Sequence, residues 1–146
     1  MTQKSKEIFA DGNKLREKLG IYLQTPEKVE IYAQSAEAMF ENADKNGISF
    51  VATWSWWGFF LNVLFCIYRK MYGVALLVFI CNLIPFLGNI IAGLSVKYFI
   101  IKDFESKLDL DNDEALQTGT NMSICIIIFV VLLALTTIGN LAGGAR

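Results

Sequence analysis

The sequence predicts an all-α integral membrane protein with three to four membrane-embedded helical segments and an N-terminal cytosolic helical pair. Three observations predict it. Hydrophobic residues make up 54% of the 146 residues, and mean hydropathy is positive, above the usual content of a soluble domain. Charge is partitioned: residues 1–47 hold seven Lys/Arg and eight Asp/Glu, whereas residues 48–101 hold only Arg69, Lys70 and Lys97. Apolar runs at 48–68, 71–101 and 122–141 reach the about 20 residues a helix needs to cross a ~30 Å hydrocarbon core.

Residues 1–47 read as a polar helical region. A charged helix is expected over 5–19, with Ile8, Leu15 and Leu19 on related faces, Gly12 weakening it and Gly20 placed as a stop. Thr25-Pro26-Glu27 is a start signal: a capping hydroxyl, a proline at the first helical position and an acid at the positive end of the macrodipole. In the helix that follows, Val29, Tyr32, Ala33, Ala36, Phe40 and Ala43 recur at three- and four-residue spacing and form a stripe that needs a partner. Asp44-Lys45-Asn46-Gly47 supplies turn chemistry.

Residues 48–101 form an aromatic-rich apolar region. Over 48–68, Trp54, Trp56 and Trp57 near one end, and Tyr68 with Tyr72 at the other, have the composition of aromatic belts at headgroup level. The run 71–101 would be about 46 Å long as a straight helix, so it must bend, tilt or fold back. The break at 85–89, Pro85-Phe86-Leu87-Gly88-Asn89, fits one kinked span or a hairpin of two short helices. Residues 102–120 then give a polar helix, with Asp103 and Lys107 spaced to pair, and an acidic loop. Residues 121–146 give a C-terminal transmembrane helix and a short tail. The positive-inside rule, applied to Lys45, Lys102 and Lys107, favours an internal N-terminus, and keeping the Trp-rich run re-entrant would put every basic cluster except Arg146 on one face.

Trp54-Ser55-Trp56-Trp57-Gly58-Phe59-Phe60, followed by Tyr68-Arg69-Lys70-Met71-Tyr72, resembles the bacterial membrane family of unknown function DUF2628. The likeness runs over about residues 30–107, with Tyr-Arg-Lys-Met-Tyr its most specific part. Ser55 departs from the family's Asn, and the run 122–141 is an addition to its pattern. The resemblance implies a small bacterial inner-membrane protein with no assigned activity, and it carries over no catalytic residue.

The sequence holds no histidine and no Walker-type or dinucleotide glycine pattern, so neither a catalytic residue nor a cofactor or metal ligand is assigned. Cys66, Cys81 and Cys125 sit in apolar runs without zinc spacing and read as small hydrophobes. Asp109-x-Asp111-x-Asp113 opens like a calcium loop but has Glu114 where glycine is required. A net charge of −1 without a basic-aromatic stripe excludes nucleic acid as an expected partner.

What remains are contacts with lipid and with other helices. Arg69, Lys70, Lys97, Trp54, Trp56 and Trp57 are candidate headgroup contacts or interface anchors, with anchoring favoured for Arg69-Lys70 and snorkelling for Lys97. Asn62, Asn82 and Asn89 are candidate helix-to-helix or pore contacts, with packing favoured. The expected partners are the lipid bilayer and a homo-oligomer or larger membrane complex. The expected function is a nonenzymatic anchor, oligomeric scaffold or accessory subunit, and the alternative is an oligomeric pore in which Asn62, Asn82 and Lys97 face a lumen.

Overall fold

The N-terminal 41 residues fold into a helical head because their apolar positions converge on one centre. In the computed structural model, which describes residues 1–84, 86–108, 116–117 and 122–143 (side chains at 129, 132, 133, 135, 136 and 138–143 excepted), the first helical stretch is two helices. They are α1 (Gln3–Ala10) and α2 (Gly12–Leu23). Asp11 divides them: its carboxylate accepts from the backbone N–H groups of Asn13 and Lys14 and so caps α2. Gly12 therefore opens a helix, and Gly20 lies inside one. A 3₁₀ turn at Pro26–Lys28 leads into α3 (Val29–Glu41), while the Thr25 hydroxyl donates to Leu23 O and does not cap. The expected stripe packs inward through Tyr32, Ala33, Ala36 and Phe40, joined by Met39, while Val29 and Ala43 stay half-buried.

The apolar region is built of short pieces. Residues 48–55 run as an extended strap, tied by Ser49 N–H to Met39 O and by Thr53 N–H and Ser55 N–H to Leu94 O and Gly93 O. Helix α4 (Trp56–Tyr68) follows, capped by Ser55, whose Oγ accepts from Gly58 N–H. Next come α5 (Tyr72–Cys81), α6 (Leu87–Leu108) and α7 (Met122–Gly143). The run 71–101 is thus a hairpin of two helices joined at residues 82–86, with Phe86 at φ 64°; Pro85 itself lies outside the described residues.

Helix α6 is the shared spine. Its C-terminal half inserts Ile100, Ile101, Phe104 and Leu108 into the head, where Phe104 meets Phe9 at 6.0 Å and Tyr22 at 5.3 Å between ring centroids. Its N-terminal half presents Gly88, Ala92, Gly93 and Val96 to the other apolar helices. A Cβ on Gly58 would lie 2.7 Å from Val96 Cγ1 and 2.8 Å from Ala92 O, so α4 packs backbone to backbone on α6.

The expectation of an α-helical protein holds: among the described residues there is no strand. The expectation of an integral membrane protein does not. Among the described residues no helix is long and apolar enough to cross a membrane. At 1.5 Å per residue α5, of 10 residues, spans about 15 Å, well short of a ~30 Å core, and α4, of 13 residues, leaves helical geometry at Asn62 and so reaches less than the about 20 Å of a straight helix. Helix α6 is longer, but its C-terminal half carries Lys102, Asp103, Glu105 and Lys107 and is committed to the head. The three-to-four-span topology and the inner-membrane location with an internal N-terminus, both of which required crossings, are overturned with it.

Gly58→Ala tests the close packing of α4 on α6. Alanine should favour a free helix by about 1 kcal/mol, yet here the added methyl collides with a backbone carbonyl. A net loss of about 1–3 kcal/mol in denaturant unfolding is expected, and an unchanged or raised stability would refute the packing.

Candidate functional site

The sequence-predicted residues fall on an apolar stalk, the bundle of α4, α5 and the N-terminal half of α6, which continues from the head along α6. Its chain path follows from the contacts along α6: Gly58 lies beside Ala92 and Val96, Asn62 bonds Asn89, and Lys70 and Met71 share a cleft with Phe99 and Lys102. Helix α4 therefore descends along α6, turns at Asn62 and returns to the head. The turn is visible in the backbone, since Asn62 leaves helical space at φ 26°, ψ −97°.

Asn62, Asn82 and Asn89 come together at the far end of this stalk. Asn62 Nδ2 donates to Asn89 Oδ1 at 2.8 Å and to Asn82 Oδ1 at 3.4 Å, and Asn82 Nδ2 donates back to Asn62 Oδ1 at 3.2 Å. The carboxamides satisfy one another where the backbone is broken, as polar groups in apolar surroundings must. Gly88 makes room for them: a Cβ there would collide with Asn82 Oδ1. Lys97, two helical turns further along α6, is half-buried and makes no ion pair among the described residues; burial holds its pKa below the ordinary lysine value.

The tryptophans divide. Trp54 and Trp56 join Phe59 and Phe60 in an exposed aromatic cluster, with Trp54 and Trp56 5.3 Å apart edge to face and Trp56 stacked on Phe60 at 5.8 Å. Trp57 faces elsewhere, with Lys28 Nζ 5.1 Å above its ring.

Arg69 and Lys70 also divide. Lys70, at φ 58°, points outward and shares an open cleft of about 520 Å³ with Lys102. Arg69 turns inward: it is 8% exposed, reaches Leu23 O at 3.5 Å and Tyr68 at 5.9 Å, and leaves Nε buried without a partner. No carboxylate among the described residues pairs with it. Of this pair, only Lys70 is open to a ligand from outside.

Sequence reading missed the polar bonds that hold the head together. Arg16 grips Glu30 through two 2.8 Å contacts and Glu37 through one at 2.6 Å, joining α2 to α3 and raising the guanidinium pKa through those hydrogen bonds. Tyr22 donates to Asp103 at 2.7 Å, and Asp103 also pairs with Lys107 as its spacing predicted. Burial first, and the Asp103 charge second, push the Tyr22 phenol well above its ordinary pKa. Burial likewise raises Tyr32, and it pushes the Cys66 thiol up to about 11. These partners stand up to 81 residues apart, beyond the reach of any local spacing rule.

Around the stalk lies a continuous set of exposed apolar side chains. Phe60 (69%), Trp56 (62%), Leu76 (61%), Leu83 (76%) and Phe86 (76%) are the most open there. Among the described residues no group of three His, Cys, Asp or Glu could hold a metal ion. The acidic stretch 109–113 lies outside the described residues.

Arg69→Met should stabilise the protein. An uncompensated buried charge carries a desolvation penalty of several kcal/mol, and Met keeps the stem's packing, so a gain of about 1–3 kcal/mol is expected in urea unfolding; a loss would show that Arg69 has an anionic partner. Alkaline pH should have the opposite effect. The folded pKa values of Tyr22, Tyr32 and Cys66 lie above their unfolded values near 10, 10 and 9. Their contribution is full below those values and is lost as pH rises through the folded ones. Stability should therefore begin to fall near pH 9 and fall faster above pH 10, and Tyr22→Phe should flatten the second part of the slope.

No family model, curated protein or solved structure matches the chain, so the resemblance at Trp54–Phe60 and Tyr68–Tyr72 rests on those residues alone.

Proposed function

We propose that this is a nonenzymatic helical docking protein, whose head is held at a lipid surface by an apolar stalk that enters one leaflet without crossing it. The exposed stalk carries the proposal. Apolar patches beyond a few hundred Å² are rare on isolated monomers and mark interaction surfaces. Here the exposed side chains wrap both α4 and α5 and continue over the tip at Leu83, Ile84 and Phe86.

Shape and charge favour lipid over a second copy as the occupant. An isologous dimer needs a self-complementary patch, whereas lipid needs only apolar surface, and the tip at Leu83, Ile84 and Phe86 is uniformly apolar. Helix α5, at 10 residues, is about 15 Å long, half of a ~30 Å hydrocarbon core. Lys70 and Lys102 sit where α5 leaves the head, at the height of anionic headgroups when the tip is inserted. Trp54 and Trp56 supply amphipathic rings suited to the headgroup boundary.

The asparagines do not line a lumen in this reading. Their carboxamides bond one another, and Lys97 lies about 12 Å along the helix from Asn89.

Vesicle flotation tests the proposal. The protein should float with neutral vesicles and bind more tightly when anionic lipid is added. Phe79→Ser with Phe86→Ser should weaken both, whereas Lys70→Glu with Lys102→Glu should remove only the anionic preference. Failure to float, or a stable oligomer in solution that shields Phe79 and Phe86 from a soluble quencher, would overturn it.

A further inference from the structure

A groove separate from the stalk tip lies between α4, the 3₁₀ turn and the start of α7. It encloses about 480 Å³, within the roughly 300–1,000 Å³ of small-molecule sites. Its walls are one face of α4, through Trp57, Leu61, Phe65 and Tyr68, and the first turns of α7, through Met122 and Ile126. Helix α7 is held against α4 here by Cys125, whose Sγ lies 3.6 Å from Leu64 O.

Among the residues that line the groove there is a single charge, Lys28, and no acid. Lys28 forms no ion pair among the described residues, although Glu27 is its neighbour in sequence; its ammonium instead rests over Trp57. A cation fixed on an aromatic wall beside an otherwise apolar trough matches a ligand with one anionic head and one hydrocarbon tail. A neutral apolar ligand would leave the ammonium partly desolvated with no partner, and a small polar anion would leave the trough unfilled.

We propose that this groove binds a single-chain anionic amphiphile, with its head at Lys28 and its chain laid between Leu61, Phe65 and Ile126. This site is independent of leaflet docking: flotation can fail while the groove still binds, and the groove can be empty in a protein that floats.

The test uses the full chain in nonionic micelles, with a long-chain alkyl sulfate, the uncharged alcohol of the same chain, and inorganic sulfate as probes. The readouts are alkylation rates of Cys125 and Cys81 followed by peptide mass spectrometry, and quenching of Trp57 by bromine-labelled probes in a Trp54→Phe, Trp56→Phe background. The alkyl sulfate should slow alkylation at Cys125 but not at Cys81, and should quench Trp57 saturably. The alcohol should bind about fivefold more weakly, as expected for the loss of one charge contact worth about 1 kcal/mol, and inorganic sulfate should have no effect. Lys28→Gln should erase the difference between sulfate and alcohol, and Ile126→Trp should fill the trough and abolish protection, with helical content unchanged in both. Equal binding of sulfate and alcohol, a preference that survives Lys28→Gln, or equal protection of Cys81 and Cys125 would overturn the assignment.

Discussion

The structure depends on one helix being shared by two environments. Helix α6 gives its C-terminal half to the head, where Ile100, Ile101 and Phe104 are fully buried, and its N-terminal half to the stalk, where Gly88, Ala92 and Gly93 remove side-chain bulk. Buried apolar area stabilises the first half at about 25 cal/mol per Å². Close backbone packing holds the second, because dispersion between well-fitted surfaces adds up over many small contacts. Neither part is self-sufficient: the head's core is closed by Phe104, and the stalk's helices lean on α6.

From that spine follow the positions of the functional features. Packing of α4 on Ala92 and Val96 brings it down to Asn89, where Asn62 ends its first half and sends the chain back. The return places Tyr68 and Arg69 against the head and Lys70 outside it. That path creates two surfaces, the apolar stalk and the groove beside Lys28. Polar groups mark its ends, with three asparagines at the tip and two lysines at the base, so the stalk is apolar along its flanks and satisfied where the backbone breaks.

Much of the head was legible from periodicity. The stripe through Tyr32, Ala33, Ala36 and Phe40 is the face that packs, and Asp103 and Lys107 pair at the spacing expected of a helix. The stalk was less legible, because a run of apolar residues carries no period that distinguishes a crossing helix from short helices folded on each other. Residues 48–55 are apolar enough to join a helix, yet they run extended because the Ser55 hydroxyl caps α4 and their N–H groups reach Met39, Leu94 and Gly93. Arg69 and Lys70 are adjacent and equally basic, but the positive φ of Lys70 separates them, one inward and one outward.

The sequence by itself determined that the protein is helical, where polarity gives way to apolar surface near Gly47, and which residue types are available for contact. Those properties reside in composition and in neighbours three or four residues apart. Only the tertiary structure decided that no described helix is long and apolar enough to cross a bilayer, that Asn62 reverses the chain, and that Lys28 stands over Trp57 beside a groove. Each of these depends on groups distant in sequence meeting at one place, and hydrophobic pattern, which sums over a window of chain, does not encode where two windows touch.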